Sequence, residues 1–150
     1  MIYIGIDPGK SGALAYINTG ELKQEVVMPF SESGYKFILC YLAENHKGEL
    51  RCCIERVNAM PGQGVTGMFN FGKNYGWVLG LLDAYAIPYE TVTPKKWKAE
   101  FGLTGEKMES ITVCKRMFPN ISLLPTERCK KDNDGMAEAL LLAEYARRKM

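Results

Sequence analysis

The chain has 150 residues, with 19 Lys and Arg against 17 Asp and Glu, one His and five Cys. That length suits one compact domain, read as residues 1–150, and no apolar run is long enough to cross a bilayer. The odd cysteine count without a C-x-x-C pair, the lone His46 and the lack of a signal-peptide pattern argue against a disulfide scaffold or a zinc site and fit a reducing, cytoplasmic location.

Ile2, Ile4 and Ile6 alternate as in a strand that closes on Asp7. The Gly9-Lys10-Ser11 that follows imitates the end of a phosphate-binding loop, but the position where that motif needs its first glycine is Ile4. Gly12–Ile17 is short and apolar and runs into Asn18-Thr19-Gly20, so strand, tight turn, strand is the reading, without a nucleotide cofactor. A third short strand is expected over Glu25–Met28. Phe37, Ile38, Tyr41 and Leu42 recur at helical spacing and predict an amphipathic helix over Ser33–Glu44. The apolar run Arg51–Glu55 is a strand ending on Glu55, Asn58–Gly67 a glycine-rich loop holding Met60 and Pro61, and Met68–Ala86 a long helix. A strand over Tyr89–Val92 precedes a helix opened by Pro94 at its favoured first position. Gly105–Phe118 is another helix, Pro119–Asp132 a polar loop, and Asp134–Arg148 the last helix, with Arg147, Arg148 and Lys149 suiting its C-terminal dipole. An antiparallel opening meander followed by strand–helix–strand units predicts an α/β fold: a mixed five-stranded sheet with helices on both faces.

Charge is uneven. Thr91–Lys131 holds nine basic residues against four acidic ones, a footprint for a polyanion, although such runs are commonly just a solvated helix face. Acids mark another place. Asp7 and Glu55 each close an apolar strand, and if those strands are parallel neighbours their carboxylates share one sheet edge, where open α/β sheets gather ligands. Asp132, Asp134 and Glu138 enter and begin the last helix, and Asp134 and Glu138, four apart, share a face. Each acid alone is ordinarily a turn residue or an N-cap. Together, carboxylates around one point require a cation, and hard oxygen ligands suit Mg²⁺ or Mn²⁺. Two such ions activate a water and stabilise the leaving oxygen of a phosphodiester.

The segments IGIDPGKSGALAYI (Ile4–Ile17), CIERV (Cys53–Val57), FNFGKNYGWVLGLL (Phe69–Leu82), TPKKWK (Thr93–Lys98) and DGMAEALLLAEYARR (Asp134–Arg148) together resemble the RuvC-type Holliday junction resolvases of the RNase H-like superfamily. The compact length is similar to the phage-encoded branch. The resemblance implies a homodimer that resolves four-way DNA junctions by symmetric nicks with two Mg²⁺ ions, Mn²⁺ substituting, and neither membrane nor nucleotide. It implies Asp7 and Glu55 as the first two catalytic acids. The final helix departs from the family pattern, which has an Asp or a His three residues before a final Asp; here the last acid is Glu138, Asp134 lies four before it, and Asp132, Asp134 and Glu138 stay open as ligands. Lys98 and Lys107 fall near the basic residues that family members set against the scissile phosphate, where a lysine stabilises developing charge or makes an ordinary backbone contact. The loop after Glu55 corresponds to the segment that probes the junction centre, with Met60 and Pro61 as apolar wedges or as parts of a plain turn. Gly72, Gly76 and Gly80 offer close approach to the sheet or to a second subunit. A broader branched-DNA debranching nuclease and an inactive junction-binding protein are the alternatives. A fragment of an actin-like kinase, which shares the opening motif, needs two such domains.

Overall fold

A computed structural model describes residues 1–150, apart from the side chain of Lys107. Its strands are β1 (Ile2–Asp7), β2 (Ala13–Asn18), β3 (Gln24–Pro29), β4 (Leu50–Glu55) and β5 (Tyr89–Val92). The helices are α1 (Glu32–Asn45), α2 (Val65–Ala84), α3 (Pro94–Glu100), α4 (Lys107–Met117) and α5 (Asp134–Lys149). The sheet is five-stranded in the order β3-β2-β1-β4-β5, with β1–β2 and β2–β3 antiparallel and β1–β4 and β4–β5 parallel. This is the mixed sheet that the strand order predicts.

The period of two divides β1 between two cores. Ile2, Ile4 and Ile6 join Leu14, Leu50, Cys52 and Ile54 under α1 and α2. The opposite faces of β2 and β4 supply Ala13, Ala15 and Cys53 to the core under α5, where Leu140, Leu141 and Ala143 pack. Central strands buried on both faces have no polar side to show, which is why they read as nearly continuous apolar runs. Gly5 is where the last helix crosses: a Cβ there would overlap the Ala139 carbonyl oxygen and the Ala143 amide nitrogen of α5. A glycine inside an apolar strand signals this kind of backbone approach.

The turn from β1 to β2 is tight. Gly9 holds φ +122°, which L side chains resist, and its carbonyl accepts the Gly12 N–H at 3.2 Å. Asp7 then pairs with Ala13 across the antiparallel ladder. The structure thus has strand, turn, strand where the phosphate-loop imitation stands.

Two helices differ from the sequence reading. On α1 the buried stripe is Tyr35, Ile38, Leu39 and Leu42, whereas Phe37 is 73% and Tyr41 47% exposed. One residue step turns a helix by about 100°, so the neighbour of an inward residue points away even when it is aromatic. The second helix starts at Val65 rather than Met68, because Gly64 serves as N-cap directly after the Pro61-Gly62 turn, and it stops at Ala84 ahead of Ala86, which takes φ +52°. Gly72, Gly76 and Gly80 lie on its exposed side, and a Cβ at any of them would meet nothing within 4 Å. They do not serve close approach to the sheet.

Candidate active site

The parallel pairing of β1 and β4 matches Ile2 with Leu50 and runs to Ile6 with Ile54. One step further, Asp7 comes level with Glu55, and both side chains leave on the α5 face, opposite Ile6 and Ile54. The first turns of α5 end the arrangement. Asn133 is its N-cap, accepting the Met136 N–H at 2.9 Å, so neither Asp132 nor Asp134 fills the capping role. The charges that act on Asp7 are the carboxylates of Glu55, Glu138 and Asp134 and the Lys98 ammonium. Four acids from three elements therefore converge on the carboxyl edge of the sheet.

Electrostatics follow from that crowding. Burial, then repulsion from Glu55, Glu138 and Asp134, pushes the Asp7 carboxyl well above its ordinary value, with Lys98 only partly offsetting them. Burial also raises Glu55, against a hydrogen bond from Trp97 that favours its charged form. Trp97 Nε1–H donates to Glu55 Oε2 at 2.6 Å. Lys98 Nζ stands 3.1 Å from Glu138 Oε1, and Ser110 Oγ donates to the same oxygen at 3.2 Å. Two consecutive residues of α3 thus hold acids from two other elements.

Asp132 pairs its carboxylate with Lys115 on α4 and is not among the charges that act on Asp7. Lys107 opens α4, but its side chain lies outside the described residues. Met60 is 60% exposed in the loop that follows Glu55. Lys95 and Lys96, also exposed, share α3 with Lys98. Sequence reasoning missed Trp97 and Ser110. Trp97, a buried indole whose N–H must find an acceptor, sits beside a lysine already singled out, and that adjacency was the available signal. Ser110 on α4 carried none.

Among the described residues no group of three or more His, Cys, Asp or Glu side chains is arranged to hold a metal ion as it lies. The donor set nevertheless suits a hard divalent cation: it is all carboxylate oxygen, with three carboxylates and one ammonium acting on Asp7.

No family model matches the chain. Over 89 residues it is 33% identical to the chloroplastic Holliday junction resolvase MOC1 of Chlamydomonas reinhardtii, a stretch that makes up 58% of this chain and 10% of that protein. The chain thus spans about a tenth of the length of the curated relative it matches. Among solved structures it is similar to T. thermophilus RuvC in complex with Holliday junction substrate, with TM-score 0.63 and 15% identity, covering 99% of this chain and 97% of that one. It is also similar to the Thermus thermophilus RuvC structure, with TM-score 0.59 and 17% identity, covering 99% and 96%. The chain has the RuvC-type, RNase H-like fold, and its local sequence is resolvase-like.

Proposed function

We propose that the protein is a divalent-metal-dependent endonuclease that resolves four-way DNA junctions by paired symmetric nicks. The observation that carries the reading is the convergence of Asp7, Glu55, Asp134 and Glu138 on one sheet edge beside Lys98. The resolvase-like sequence and the RuvC-type fold support it. Asp7, Glu55, Asp134 and Glu138 would hold Mg²⁺, two ions as the sequence implies, with Mn²⁺ as substitute. When bound, the ions supply activation of water and stabilisation of the leaving oxygen. The chain's own residues do the rest. Lys98, 3.1 Å from Glu138, is placed to trade that carboxylate for a substrate phosphate and to stabilise charge developing on it. The exposed Lys95 and Lys96 beside it contact flanking phosphates, which fix register without reading sequence. Asp132, held by Lys115, takes no part in the metal set.

A resolvase that nicks two strands symmetrically needs two sites related by a two-fold axis. The outer face of α2 suits that contact: Val65 is 86% and Phe69 70% exposed, in line with the uncovered Gly72, Gly76 and Gly80. The reading is a homodimer through this face, and sedimentation as a monomer at micromolar concentration would argue against it.

The test is cleavage of end-labelled four-way junction, three-way branch and linear duplex in Mg²⁺, Mn²⁺ and EDTA. Paired nicks at symmetric positions on the four-way junction alone are expected. Equal cutting of every branched substrate would replace this reading with a debranching nuclease. Binding without cutting in either metal would make the protein an inactive junction binder.

A further inference from the structure

Trp97 is fully buried, and its ring meets Phe101 edge-on at 6.4 Å. Its helix is fixed at the start by Pro94 and by the Thr93 side chain, which accepts the Lys96 N–H. The indole therefore has little freedom, and its N–H points at one atom, Oε2 of Glu55. Ser110 is 2% exposed on α4, and its hydroxyl reaches across to α5, to Oε1 of Glu138. The hydrogen bonds found among the described residues engage only one oxygen of each carboxylate.

Lys98 also holds Glu138 Oε1, but it differs in kind. Its side chain is 21% exposed on a long rotatable stem, so it can turn to a phosphate, whereas the indole and the serine are buried away from solvent. Once Lys98 turns away, Ser110 is the donor that remains on Glu138 among the described residues.

Resting on the metal-dependent reading above, we infer that Trp97 and Ser110 are positioning residues for the metal site. Each donates to one oxygen of a carboxylate, Glu55 or Glu138, and leaves the other oxygen for the divalent cation. Neither touches substrate. Fixing a ligand's orientation before the cation arrives removes the cost of ordering it, and partners of this kind are worth about 10–100-fold in metal affinity or activity.

The experiment is calorimetric titration of Mg²⁺ into the DNA-free protein, for wild type, Trp97→Phe and Ser110→Ala, with melting temperatures in EDTA measured alongside. Phe keeps most of the ring and removes the donor. The expected result is Mg²⁺ affinity weakened about 10–100-fold by Trp97→Phe, and in the same direction by Ser110→Ala, with cleavage recovering as Mg²⁺ is raised. A merely structural role would lower the EDTA melting temperature and leave the affinity of the folded fraction alone. In a Trp77→Phe background the remaining indole fluorescence is Trp97's, and it should change on Mg²⁺ addition. Wild-type affinity in both variants overturns the inference. Should Trp97→Phe fail to fold, Ser110→Ala decides on its own contact. Failure of the metal-dependent reading shows separately, as a wild-type protein that binds no Mg²⁺, and would overturn both.

Discussion

Replacing Asp7 by Asn should stabilise the metal-free protein while destroying its activity. Burial and three neighbouring carboxylates hold the Asp7 pKa well above its ordinary value of 3.8. A group raised in the folded state contributes stability that is full below its unfolded value and lost as pH rises through the folded one. Above the ordinary value the wild type bears a penalty that grows with pH up to the folded value, and the neutral amide bears none of it. Each pH unit between the unfolded and folded values is worth about 1.4 kcal/mol. Each kcal/mol moves the melting temperature of a chain of this size by about 2–4 °C. The expected rise in EDTA is therefore about 3–6 °C for each pH unit that separates the two values. Thermal melts of both proteins across pH, with and without Mg²⁺, are the assay. The gap should shrink as pH falls through the folded value and close below the ordinary value of 3.8, where Asp7 is protonated in both states. It should also narrow in Mg²⁺, because the wild type alone gains from binding a cation at a complete site. An Asn variant that melts at or below wild type in EDTA at neutral pH would refute the reasoning, since Asp7 would then be a structural acceptor.

Other outcomes follow from the same geometry. Asp7→Asn and Glu55→Gln should abolish junction cleavage and leave junction binding intact in a gel-shift assay, because removing acids lowers repulsion toward phosphate; loss of binding would make these acids structural. Lys98→Met should slow cleavage and reduce the log–log salt slope of junction binding by about 0.9, the share of one phosphate contact. Gly5→Val should destabilise by ~1–3 kcal/mol or more in urea denaturation, since its side chain meets the backbone of α5. Glu144 gives the opposite pH sign to Asp7: burial raises it, but hydrogen bonds from Arg147 and Arg148 at 2.6–2.8 Å outweigh that and hold it below 4.5. Its contribution is present above the ordinary value and fades as pH falls through the folded one, so Glu144→Gln should cost about 1–3 kcal/mol at neutral pH and much less in acid.

Much of this protein is legible without coordinates. Alternation of Ile2, Ile4 and Ile6 makes a strand whose last residue is Asp7, and the run Arg51–Glu55 ends on Glu55, because local periodicity and turn residues act over a few positions. Asp134 and Glu138 share a helix face by their spacing alone. Tertiary structure decided what those acids meet. Only the parallel pairing of β1 with β4 on its other edge brings Asp7 level with Glu55, and only the crossing of α5 at Gly5 carries Glu138 to them. It also sent Asp132 to Lys115, turned Phe37 and Tyr41 outward, and brought Trp97 and Ser110 to the carboxylates from α3 and α4. Contacts such as Trp97–Glu55, 42 residues apart, depend on how helices pack against the sheet, and no local pattern encodes that distance.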